Sequence, residues 1–578
     1  MAMSRDSFIK FKDAVNESHK GLRPFRDGQR EAMMQYLGPH YGDRTKSQSV
    51  PVNMLEMAVT TYVQQLAARA PQVLVNTHKR ELRASAKEFE LAINESLKRM
   101  DFESELQLWV MSALFSIGIM KIGTYSSGFH EIDDETFANT QVFAEAIMLD
   151  DWVHDVRAKR WGREVSFCGH RYKMKIADVE ANPYFDQEMV AKLSTSLREE
   201  RIGEERIEDL SGEKSVDDAD FDPSVELWDI WIPRDNVVVT FSETQSKPLR
   251  EQEWTGPDHG PYRLLGFNRV LNNIMPLPPV ANWIDSHDLF NLLYTKLGEQ
   301  ASRQKTVTFA TPMGKDDART VISANDGETV MVQNPNSVKE AKYGGVDQAT
   351  LAFALNMRGV NSYIMGNLDA LTGGSTTADT LGQEKIIKES SSDRLKQMQG
   401  GVSSAIKKVV ADIAFWLFHD PMLEMDLTQK IPGTDVELDT KWPFQQDEFG
   451  VEIDAREGEF DQYDFDIEPF SMQDLSPGER LQLLRQVFTQ DIMPLTQFGV
   501  QPDVNAYLAL VAKYSNMPEL ADIVPAISTF GDASIQGQPG KSPTSSREYV
   551  RRSVSAGRTQ QADDQQMTQQ LMAAASAG

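Results

Sequence analysis

The sequence contains a single cysteine, Cys168, among 578 residues. One thiol can form neither an intramolecular disulfide nor a cysteine-based zinc site, and this composition is compatible with a reducing compartment. The first residues, MAMSRDSFIKFKD, lack the apolar core of a secretory signal peptide. The longest apolar run, WVMSALFSIGIM at 109–120, is shorter than the ~20 residues that a membrane-spanning helix needs. We therefore expect this run to form a buried helix, and we expect no membrane partner.

Motifs for nucleotide or metal chemistry are also scarce. The stretch GQPGKS at 537–542 is the nearest approach to a P-loop, but Ile535 stands where that loop needs its first glycine. The nine histidines form no HExxH motif and no other close ligand pair. No Ser/His/Asp arrangement can be recognised either. The sequence therefore predicts a protein that is not an enzyme and that carries no cofactor and no metal.

Three groups of polar residues have both a functional and a structural interpretation. His154 with three nearby aspartates could hold a metal ion, but its segment MLDDWVHDVRAKRWG is more typical of a turn leading into a strand. His287 lies on an apolar helix stripe, where packing in the core is favoured. The alternation in YDFDIEPF favours a strand with one wet face over a set of catalytic carboxylates. The acidic residues concerned are Asp150, Asp151, Asp155, Asp464, Asp466 and Glu468.

The formal net charge of −27 excludes a general phosphate-neutralising binder of nucleic acid. Such a chain can meet nucleic acid only at a local site or by confinement. The acid is concentrated in residues 435–468, which hold 13 Asp and Glu against 2 Lys and Arg. A solvated face is the preferred interpretation of this block.

Hydrophobic spacing predicts a mixed α+β chain that is mainly helical. Residues 1–120 read mainly as helices, and the helix MLEMAVTTYVQQLAARA should end before Pro71. An amphipathic pair of helices follows, with a break near Asp101. Segments within 121–175 and 225–242 have the alternation and the turn residues of strands.

The middle of the chain contains two helices around a small insert. The stretch 272–305 opens with several prolines, so its helix should begin after Pro279. Short strands and turns follow at 306–345, with a short helix at 315–323. The second helix is predicted at 347–365, where apolar residues recur with helical spacing.

A very long helix is predicted from Gln383 to His419. Its apolar residues step by three and four, and an unbroken helix of this length would span roughly 55 Å at ~1.5 Å per residue. Gly400 and Gly401 interrupt the pattern, and a glycine weakens a helix by about 1 kcal/mol relative to alanine. We interpret the pair as a kink or hinge. Such a helix is typical of a structural strut rather than of the core of a small enzyme.

The stretch GNLDALTGGSTTADTLG at 366–382 joins the second helix to the long one and contains no Lys or Arg. It could be a loop that cradles a phosphate, or a mobile loop that must avoid holding anything tightly. A phosphate cradle needs a lysine that reaches the phosphate, and this stretch has none. The second interpretation is therefore favoured.

The order of these elements resembles the portal protein of tailed bacteriophages. REAMMQYLGPHY (30–41) is similar to the early helix of that family, and VNMLEMAVTTYVQQLAARAPQV (52–73) is similar to the helix after it. SALFSIGIMKIGTY (112–125) resembles the passage from helix to strand that carries a glycine. MPLPPVANWIDSHDLFNLLYTKLGEQAS (275–302) resembles the beginning of the first stem helix. The resemblance covers about residues 25–520.

The resemblance implies a portal-like subunit with a wing, a stem, a clip that faces the tail adaptor or the packaging ATPase, and a crown that faces the capsid interior. The implied segments are 1–279, the N-terminal wing; 280–305, stem helix 1; 306–346, the clip; 347–365, stem helix 2; 366–382, the channel loop; 383–474, the long kinked helix and the C-terminal wing strands; 475–530, the crown helices; and 531–578, a tail that is flexible or extends a helical barrel.

The resemblance also implies a function. Portal proteins form closed rings, usually of twelve subunits, at one capsid vertex, and double-stranded DNA is packaged and ejected through the centre. The implied partners are further copies of the chain, double-stranded DNA, the terminase large subunit, the head-tail adaptor and tail proteins, and the major capsid and scaffolding proteins. The chain would reside in the virion, and in the host cytoplasm during assembly.

Two sets of residues receive implied roles. DNA must slide through the channel, and each neutralised phosphate would add affinity that a ring multiplies. A loop without Lys or Arg suits the narrowest part of such a channel. The implied channel-loop residues are Asp369, Thr372, Gly373, Gly374, Ser375, Thr376, Thr377 and Asp379. The implied docking residues of the clip are Lys315, Asp316, Asp317, Arg319, Asn325 and Asp326.

Two other classes of protein are alternatives. Another virion component, such as a tail or baseplate protein, would usually be richer in strands and would lack the long kinked helix. A nucleic-acid-processing enzyme would need a P-loop or a set of metal-binding carboxylates. Light scattering separates these classes, because the portal interpretation requires a ring of many subunits and the enzyme interpretation fits a monomer with nuclease or ATPase activity.

Overall fold

The computed structural model describes most of the first 468 residues of the chain. The described residues are 5–38, 51–132, 135–162, 164–193, 224–325, 328–334, 336, 338–368, 381–420, 423–430, 437–446 and 452–468, with Gln486, Phe488 and Val511. The chain divides into two compact units, 1–431 with 436–474 and 432–435 with 475–578. Apart from those last three residues, the predicted crown and tail lie outside the described residues.

Helices account for much of the first unit. In chain order they are α1 (Arg5–Gly21), α2 (Arg23–Leu37), α3 (Met54–Ala67), α4 (Arg83–Arg99), α5 (Phe102–Phe115), α6 (Ile176–Ala181), α7 (Gln187–Val190), α8 (Ile284–Ser302), α9 (Lys315–Ser323), α10 (Gln348–Ile364) and α11 (Leu381–His419). A 3-10 turn at Pro279–Asn282 precedes α8.

The strands are short and are spread along the same unit. They are β1 (Val73–Thr77), β2 (Gly118–Ile132), β3 (Glu135–Ile147), β4 (Trp152–His154), β5 (Cys168–Lys175), β6 (Ser224–Ile232), β7 (Val237–Phe241), β8 (Arg250–Glu253), β9 (Tyr262–Leu265), β10 (Lys305–Ala310), β11 (Val338–Tyr343), β12 (Met425–Lys430), β13 (Glu437–Trp442), β14 (Phe444–Gln446), β15 (Glu452–Asp454) and β16 (Tyr463–Ile467).

In the described ranges, the sheets are small and antiparallel. A five-stranded sheet has the order β4-β5-β6-β7-β8, and a three-stranded sheet has the order β3-β2-β9. The described residues also form two-stranded pairs: β1 with β16, β10 with β11, β12 with β13, and β14 with β15. The predicted α+β class is thereby confirmed.

The largest hydrophobic core lies where α3, α4, α5 and α11 meet. Phe89 of α4 is fully buried, and its ring stacks on Trp442 with 5.0 Å between centroids and 5° between planes. The rings of Tyr463 and Phe465 on β16 meet it edge-on. A buried side chain of this size stabilises the fold by roughly 1.5–3 kcal/mol. The aromatic cluster thus joins α4 to a strand more than 370 residues later in the chain.

A separate core lies against the five-stranded sheet. Phe8 of α1 is fully buried and packs edge-on against Phe241 of β7, with 5.5 Å between ring centroids. Cys168 of β5 is buried nearby, and burial raises the pKa of its thiol far above the ordinary value. Because the thiolate is the reactive form of cysteine, this thiol is chemically inert in the folded chain.

Local signals fixed the helix boundaries in residues 51–115. The helix α3 begins after Asn53, whose side-chain oxygen accepts a hydrogen bond from the backbone N–H of Glu56 at 3.0 Å, and it ends before Pro71 as predicted. The predicted break near Asp101 is also confirmed. Asp101 separates α4 from α5 in a left-handed conformation with φ of 49°.

The apolar run 109–120 is buried, as predicted, but the prediction that it forms one helix is wrong. The helix α5 ends at Phe115, and β2 begins at Gly118. A Cβ at position 118 would lie 2.5 Å from the backbone oxygen of Trp109. The strand therefore begins so close to Trp109, in the middle of α5, that only glycine fits at position 118, and the run turns from helix to strand just before it.

The predicted strands are confirmed in several places. The stretches 121–175 and 225–242 contain parts of both larger sheets. In β16 the side chains alternate between buried and exposed, so that Asp464 and Asp466 lie on the wet face. The prediction of a strand with one solvated face is therefore confirmed for this segment.

The predicted arrangement of the middle of the chain is also confirmed as secondary structure. The helix α8 begins after Pro279, the insert consists of β10, α9 and β11, and α9 matches the predicted short helix at 315–323. The long helix is α11, with 39 residues. It is helical through Gly400 and Gly401, so these glycines do not end it, and a bend at this pair stays a prediction.

Candidate functional site

Residues 284–364 form a two-helix arm that carries the insert, and we call this segment the α8–α10 arm. The two helices run in opposite directions: the side-chain oxygen of Gln300, near the end of α8, accepts a hydrogen bond from the backbone N–H of Asp347, just before α10, at 3.1 Å. Between them, β10 and β11 pair from Lys305 opposite Tyr343 to Ala310 opposite Val338. The chain therefore enters the insert along α8 and returns from it along α10, and these two antiparallel helices form one stalk.

The beginning of α10 is well defined. The Asp347 carboxylate accepts hydrogen bonds from the backbone N–H of Thr350 at 3.0 Å and from its hydroxyl at 2.7 Å. These hydrogen bonds lower the pKa of Asp347. An N-cap of this kind stabilises a helix because the first N–H groups have no partner within it. The helix α10 is thus capped by its own sequence, although much of it is exposed.

The surface of α10 is the most unusual feature of the arm. Arg358 is the one charged residue among its 17, yet the helix buries only Ala354, Asn361 and Ser362. Its exposed large apolar side chains are Leu351, Phe353, Leu355, Val360 and Tyr363. At ~100° per residue, Leu351 and Leu355 lie about 80° around the axis from Ala354, on the side of Ser362, and Phe353 and Val360 lie about 110° from Ala354 in the other direction. The helix therefore presents apolar side chains in two nearly opposite directions.

The excess of exposed apolar groups extends over the whole arm. Of the 25 large hydrophobic side chains that are exposed in the described residues, 15 lie between Leu289 and Tyr363. Met313 is 99% exposed and Met331 is 95% exposed, on either side of α9 in the chain. A monomeric protein rarely leaves so much apolar surface together, and such surface marks a contact with other molecules.

The predicted docking residues of the clip have different roles in the structure. Lys315, Asp316, Arg319 and Asn325 are exposed. In contrast, the two carboxylate oxygens of Asp317 accept hydrogen bonds from the backbone N–H groups of Gln333 and Asn334, at 3.1 and 3.2 Å. Asp317 therefore ties α9 to the loop after it, and Asp326 lies outside the described residues.

The arm joins the rest of the first unit at a compact set of contacts around Tyr62 of α3. The Tyr62 ring stacks on Trp283, the residue before α8, with 5.4 Å between centroids. Its hydroxyl donates to the backbone oxygen of Met365, just after α10, at 3.0 Å. Arg394 of α11 donates to the backbone oxygen of Ile364 at 3.0 Å. Both helices of the arm are thus held at one place.

A cavity of about 620 Å³ lies beside this junction. Its lining includes Trp283, Tyr363, Arg394, Met398 and Gly401, so it separates the base of the arm from one face of α11. A Cβ on Gly400 or Gly401 would meet no atom within 4 Å. The predicted kink residues therefore lie beside open space.

The predicted channel-loop residues cannot be placed in this geometry. The residues 369–380, which include Asp369, Thr372 to Thr377 and Asp379, lie outside the described part of the chain. The structure does describe where this segment begins: Gly366 has φ of +91°, Asn367 has φ of +57°, and Leu368 is fully buried. The loop prediction stays a prediction.

His287 is fully buried, as predicted, but its surroundings are polar. Its ring nitrogen Nδ1 lies 3.1 Å from the side-chain oxygen of Gln35, and Nε2 lies 3.1 Å from the side-chain nitrogen of Asn291. Asn291 also accepts a hydrogen bond from the backbone N–H of Val52 at 3.1 Å. Burial lowers the pKa of His287, so the ring is neutral. The hydrogen bonds of this cluster connect α2 to α8.

A second buried polar cluster joins the two larger sheets, and no pattern in the sequence predicts it. Lys121 of β2 lies 3.8 Å from a carboxylate oxygen of Asp229 and 3.4 Å from Nε2 of His170. The hydroxyl of Tyr262 lies 2.9 Å from Nδ1 of His170, and Thr240 donates to Asp229 at 2.6 Å. Burial lowers the pKa values of Lys121 and His170. Groups of this kind could carry out acid–base chemistry. Here each of them is hydrogen-bonded or ion-paired with its neighbours, and none of them lines the cavity described above.

The alternative of a metal site at His154 finds no support in the geometry. His154 is buried, and its Nδ1 accepts a hydrogen bond from the indole N–H of Trp152 at 3.0 Å. Burial lowers its pKa to about 4. Within the described ranges, no three His, Cys, Asp or Glu side chains are grouped to hold a metal ion. The segment instead passes from a turn into β4, as the sequence predicts.

Sequence reasoning missed the two flanks of α10 and the contacts of Tyr62 and Arg394. The first had a signal, because a 17-residue helix with one charge and apolar residues on several sides needs to be buried. The second had none, since Arg394 and Ile364 approach each other only through the tertiary fold.

In the part of the chain that the structure describes, no helix combines the length and the apolar character needed to cross a bilayer. No protein-family model and no curated protein matches the chain.

Proposed function

We propose that this chain is the portal protein of a tailed phage, a structural subunit of a closed ring through which double-stranded DNA is packaged and ejected. The observation that carries the proposal is α10, a capped helix with a single charge and two exposed apolar flanks. A helix of this composition is stable in water only if further molecules cover it.

The positions of the two flanks favour a ring over a dimer. A two-fold dimer uses one self-complementary patch, whereas a ring needs two different patches that meet head to tail. Leu351 and Leu355 lie roughly 170° around the helix axis from Phe353 and Val360, at ~100° per residue. One flank would then pack on the preceding subunit and the other on the following subunit.

Charge and element order agree with a DNA conduit. The net charge of −27 keeps the ring from neutralising phosphates, so that DNA can slide through it. A two-helix stalk, a small insert and a long helix follow one another in the order that the resemblance implies. The exposed Met313 and Met331 give the insert an adaptable apolar surface, which suits successive docking of the terminase large subunit and the tail adaptor.

The first experiment measures the particle mass of the purified chain by mass photometry and its shape by cryo-EM class averages. We expect rings of many subunits, with about twelve as the number that the resemblance implies. The variants Phe353→Asp and Leu355→Asp each place a charge on one flank, and each should reduce the ring to open oligomers or monomers. A monomeric wild-type chain would overturn the proposal.

A matched control separates interface loss from misfolding. Tyr184→Asp places the same charge on an exposed side chain outside the arm, 75% exposed, and should leave rings intact. Both flank variants should retain the circular dichroism spectrum of the wild type, because neither side chain is buried in the chain itself. If Tyr184→Asp lost its rings to the same extent as the flank variants, the added charge alone would explain the loss. That result would contradict an interface at α10.

The role of the loop is tested separately, in a DNA-packaging reaction with assembled rings. Replacing both Ser375 and Thr376 with Lys should slow or stall packaging, because lysines in the channel would bind phosphates. Ser375→Gln with Thr376→Gln is the control, since it adds length without charge. Normal packaging by the lysine variant would contradict a channel position for this loop.

A further inference from the structure

The carbonyl end of α10 is held by side chains from two other helices. The last carbonyl groups of a helix have no partner within it. Here the oxygen of Ile364 accepts from Arg394 of α11, and the oxygen of Met365 accepts from the hydroxyl of Tyr62 of α3, each at 3.0 Å. A guanidinium at this end also suits the negative pole of the helix dipole.

The turn after α10 is built around these two side chains. Gly366 adopts φ of +91°, a conformation that favours glycine. A Cβ at this position would lie 2.3 Å from the hydroxyl oxygen of Tyr62 and 3.9 Å from Cδ of Arg394. Met365 and Leu368 are both fully buried. The chain therefore leaves α10 along a path that Tyr62 and Arg394 define.

A cavity lies between α10 and α11 beside these two hydrogen bonds. The cavity of about 620 Å³ is lined by Tyr363 and Ile364 from α10 and by Gln397, Met398 and Gly401 from α11. Across an empty space there are no dispersion contacts to fix a distance. Around this cavity, the hydrogen bonds at its edge act together with the buried side chains of Met365 and Leu368 to set the position of the end of α10 relative to the long helix.

We infer that Tyr62 and Arg394 form a clamp that positions the end of α10 on α11, so that a movement of either helix is passed to the other. The clamp residues are positioning residues. In the proposed portal, on which this functional part of the inference rests, the clamp fixes the point where the chain departs towards the loop at 369–380. A shift of α11 beside Gly401 would then move that point.

The clamp is tested by hydrogen–deuterium exchange of the full chain, followed by mass spectrometry. Tyr62→Phe keeps the ring that stacks on Trp283 and removes only the hydroxyl, and Arg394→Ala removes the guanidinium. Each should speed the exchange of the backbone amides in residues 361–368 by about tenfold, the factor expected when a helix end loses one hydrogen-bond partner. Exchange in α4 and α5 should not change.

Two further variants make the result specific. Gln399→Ala removes the hydrogen bond that the Gln399 side chain donates to the backbone oxygen of Gln65 at 3.1 Å, which joins α11 to α3 without touching α10. It should leave the exchange of residues 361–368 unchanged. Arg394→Lys keeps a donor and a positive charge and should restore most of the protection. Unchanged exchange in Tyr62→Phe and Arg394→Ala, or faster exchange throughout the chain, would overturn the clamp.

Packaging assays separate this inference from the proposed function. Rings of Arg394→Ala should have the wild-type mass but package DNA several-fold more slowly, and Arg394→Lys should recover the rate. Normal packaging by Arg394→Ala rings would refute the positioning role while leaving the ring proposal intact. A wild-type chain that forms no ring would defeat the proposed function, and the exchange experiment would still decide whether the clamp exists.

Discussion

The helices α5 and α10 have similarly apolar sequences and opposite surroundings. Eight of the 14 residues of α5 are buried, among them Leu106 and Trp109, whereas α10 buries three of 17. The apolar side chains of α5 are covered by the chain's own core. The described residues leave five large apolar side chains of α10 exposed, from Leu351 to Tyr363. Exposed apolar surface of this kind is typical of a contact with another molecule, and this contrast is the main support for the proposed assembly.

The largest expected effect is on the buried helix. Leu106→Ala should destabilise the chain by about 2–5 kcal/mol, because Leu106 is fully buried and the substitution leaves a cavity in a close-packed core. The measurement is the midpoint of chemical denaturation followed by tryptophan fluorescence. A loss below about 1 kcal/mol would mean that the core around α5 relaxes, and the contrast with α10 would weaken.

The next largest effect is the loss of folding stability in acid. The pKa of His154 is lowered by burial to about 4, against ~6.5 in an unfolded chain. As the pH falls below ~6.5 the unfolded chain takes up the proton first, so the stability supplied by the neutral ring is present above that pH and is lost towards pH 4. Between pH 6 and 4.5 this group should lower the free energy of unfolding by up to about 1.4 kcal/mol per pH unit.

The variant His154→Gln isolates this contribution. It cannot take up the proton, so the dependence of the unfolding free energy on pH should become shallower by about one proton in this range. His78→Gln is the control, because the side chain of His78 is 95% exposed. Identical pH profiles for wild type and His154→Gln would contradict a neutral, buried His154.

A smaller effect concerns the long helix beside the arm. Gly400→Ala and Gly401→Ala should each stabilise α11 by about 1 kcal/mol, since both positions are helical and a Cβ meets nothing within 4 Å. If the pair also acts as a hinge, the double variant should assemble fewer closed rings although it denatures later. Negative-stain images with unchanged rings would remove the hinge and leave only the gain in stability.

The smallest effect on stability belongs to α10. Leu355→Ala is the same substitution as the one in α5. It should change the free energy of unfolding of the dissociated chain by less than about 0.5 kcal/mol, because this leucine is 54% exposed. Its effect should appear instead in the particle mass, as a lower fraction of closed rings at low protein concentration. A destabilisation equal to that of Leu106→Ala would show that α10 packs inside its own chain.

The elements with local signals were predicted well from the sequence. Asn53 and Pro71 bound α3, and the prolines before α8 fix its beginning, because caps and prolines act within a few residues. The contacts between distant segments were beyond sequence reasoning. The pairing of β1 with β16 joins Val73 to Ile467, and no local pattern specifies such a partner.

The site was predictable only in part, for the same reason. The positions of α8, the insert and α10 follow from periodicity, which is a property of the sequence alone. The hydrogen bonds that Tyr62 and Arg394 donate at the end of α10 form because α3, α10 and α11 meet in the folded chain. A tyrosine or an arginine in a sequence does not by itself predict such a contact. The hydrogen bonds of Asp317 to the loop at Gln333 and Asn334 were not predicted, because an aspartate at the surface and an aspartate that caps a nearby loop have the same sequence signature, and its docking role stays a prediction.

Cys168 is the single cysteine of the chain and is buried, so thiol-specific reagents find no accessible native target. Its sulfur is buried in a core that includes Trp152 and Tyr262 and stays protonated, so maleimides and thiol-reactive nitroxides would react with it poorly. A cysteine introduced at position 353 or 355 would therefore be the sole reactive group in each subunit. Fluorophores or spin labels placed there could report distances between copies of the chain in the proposed ring.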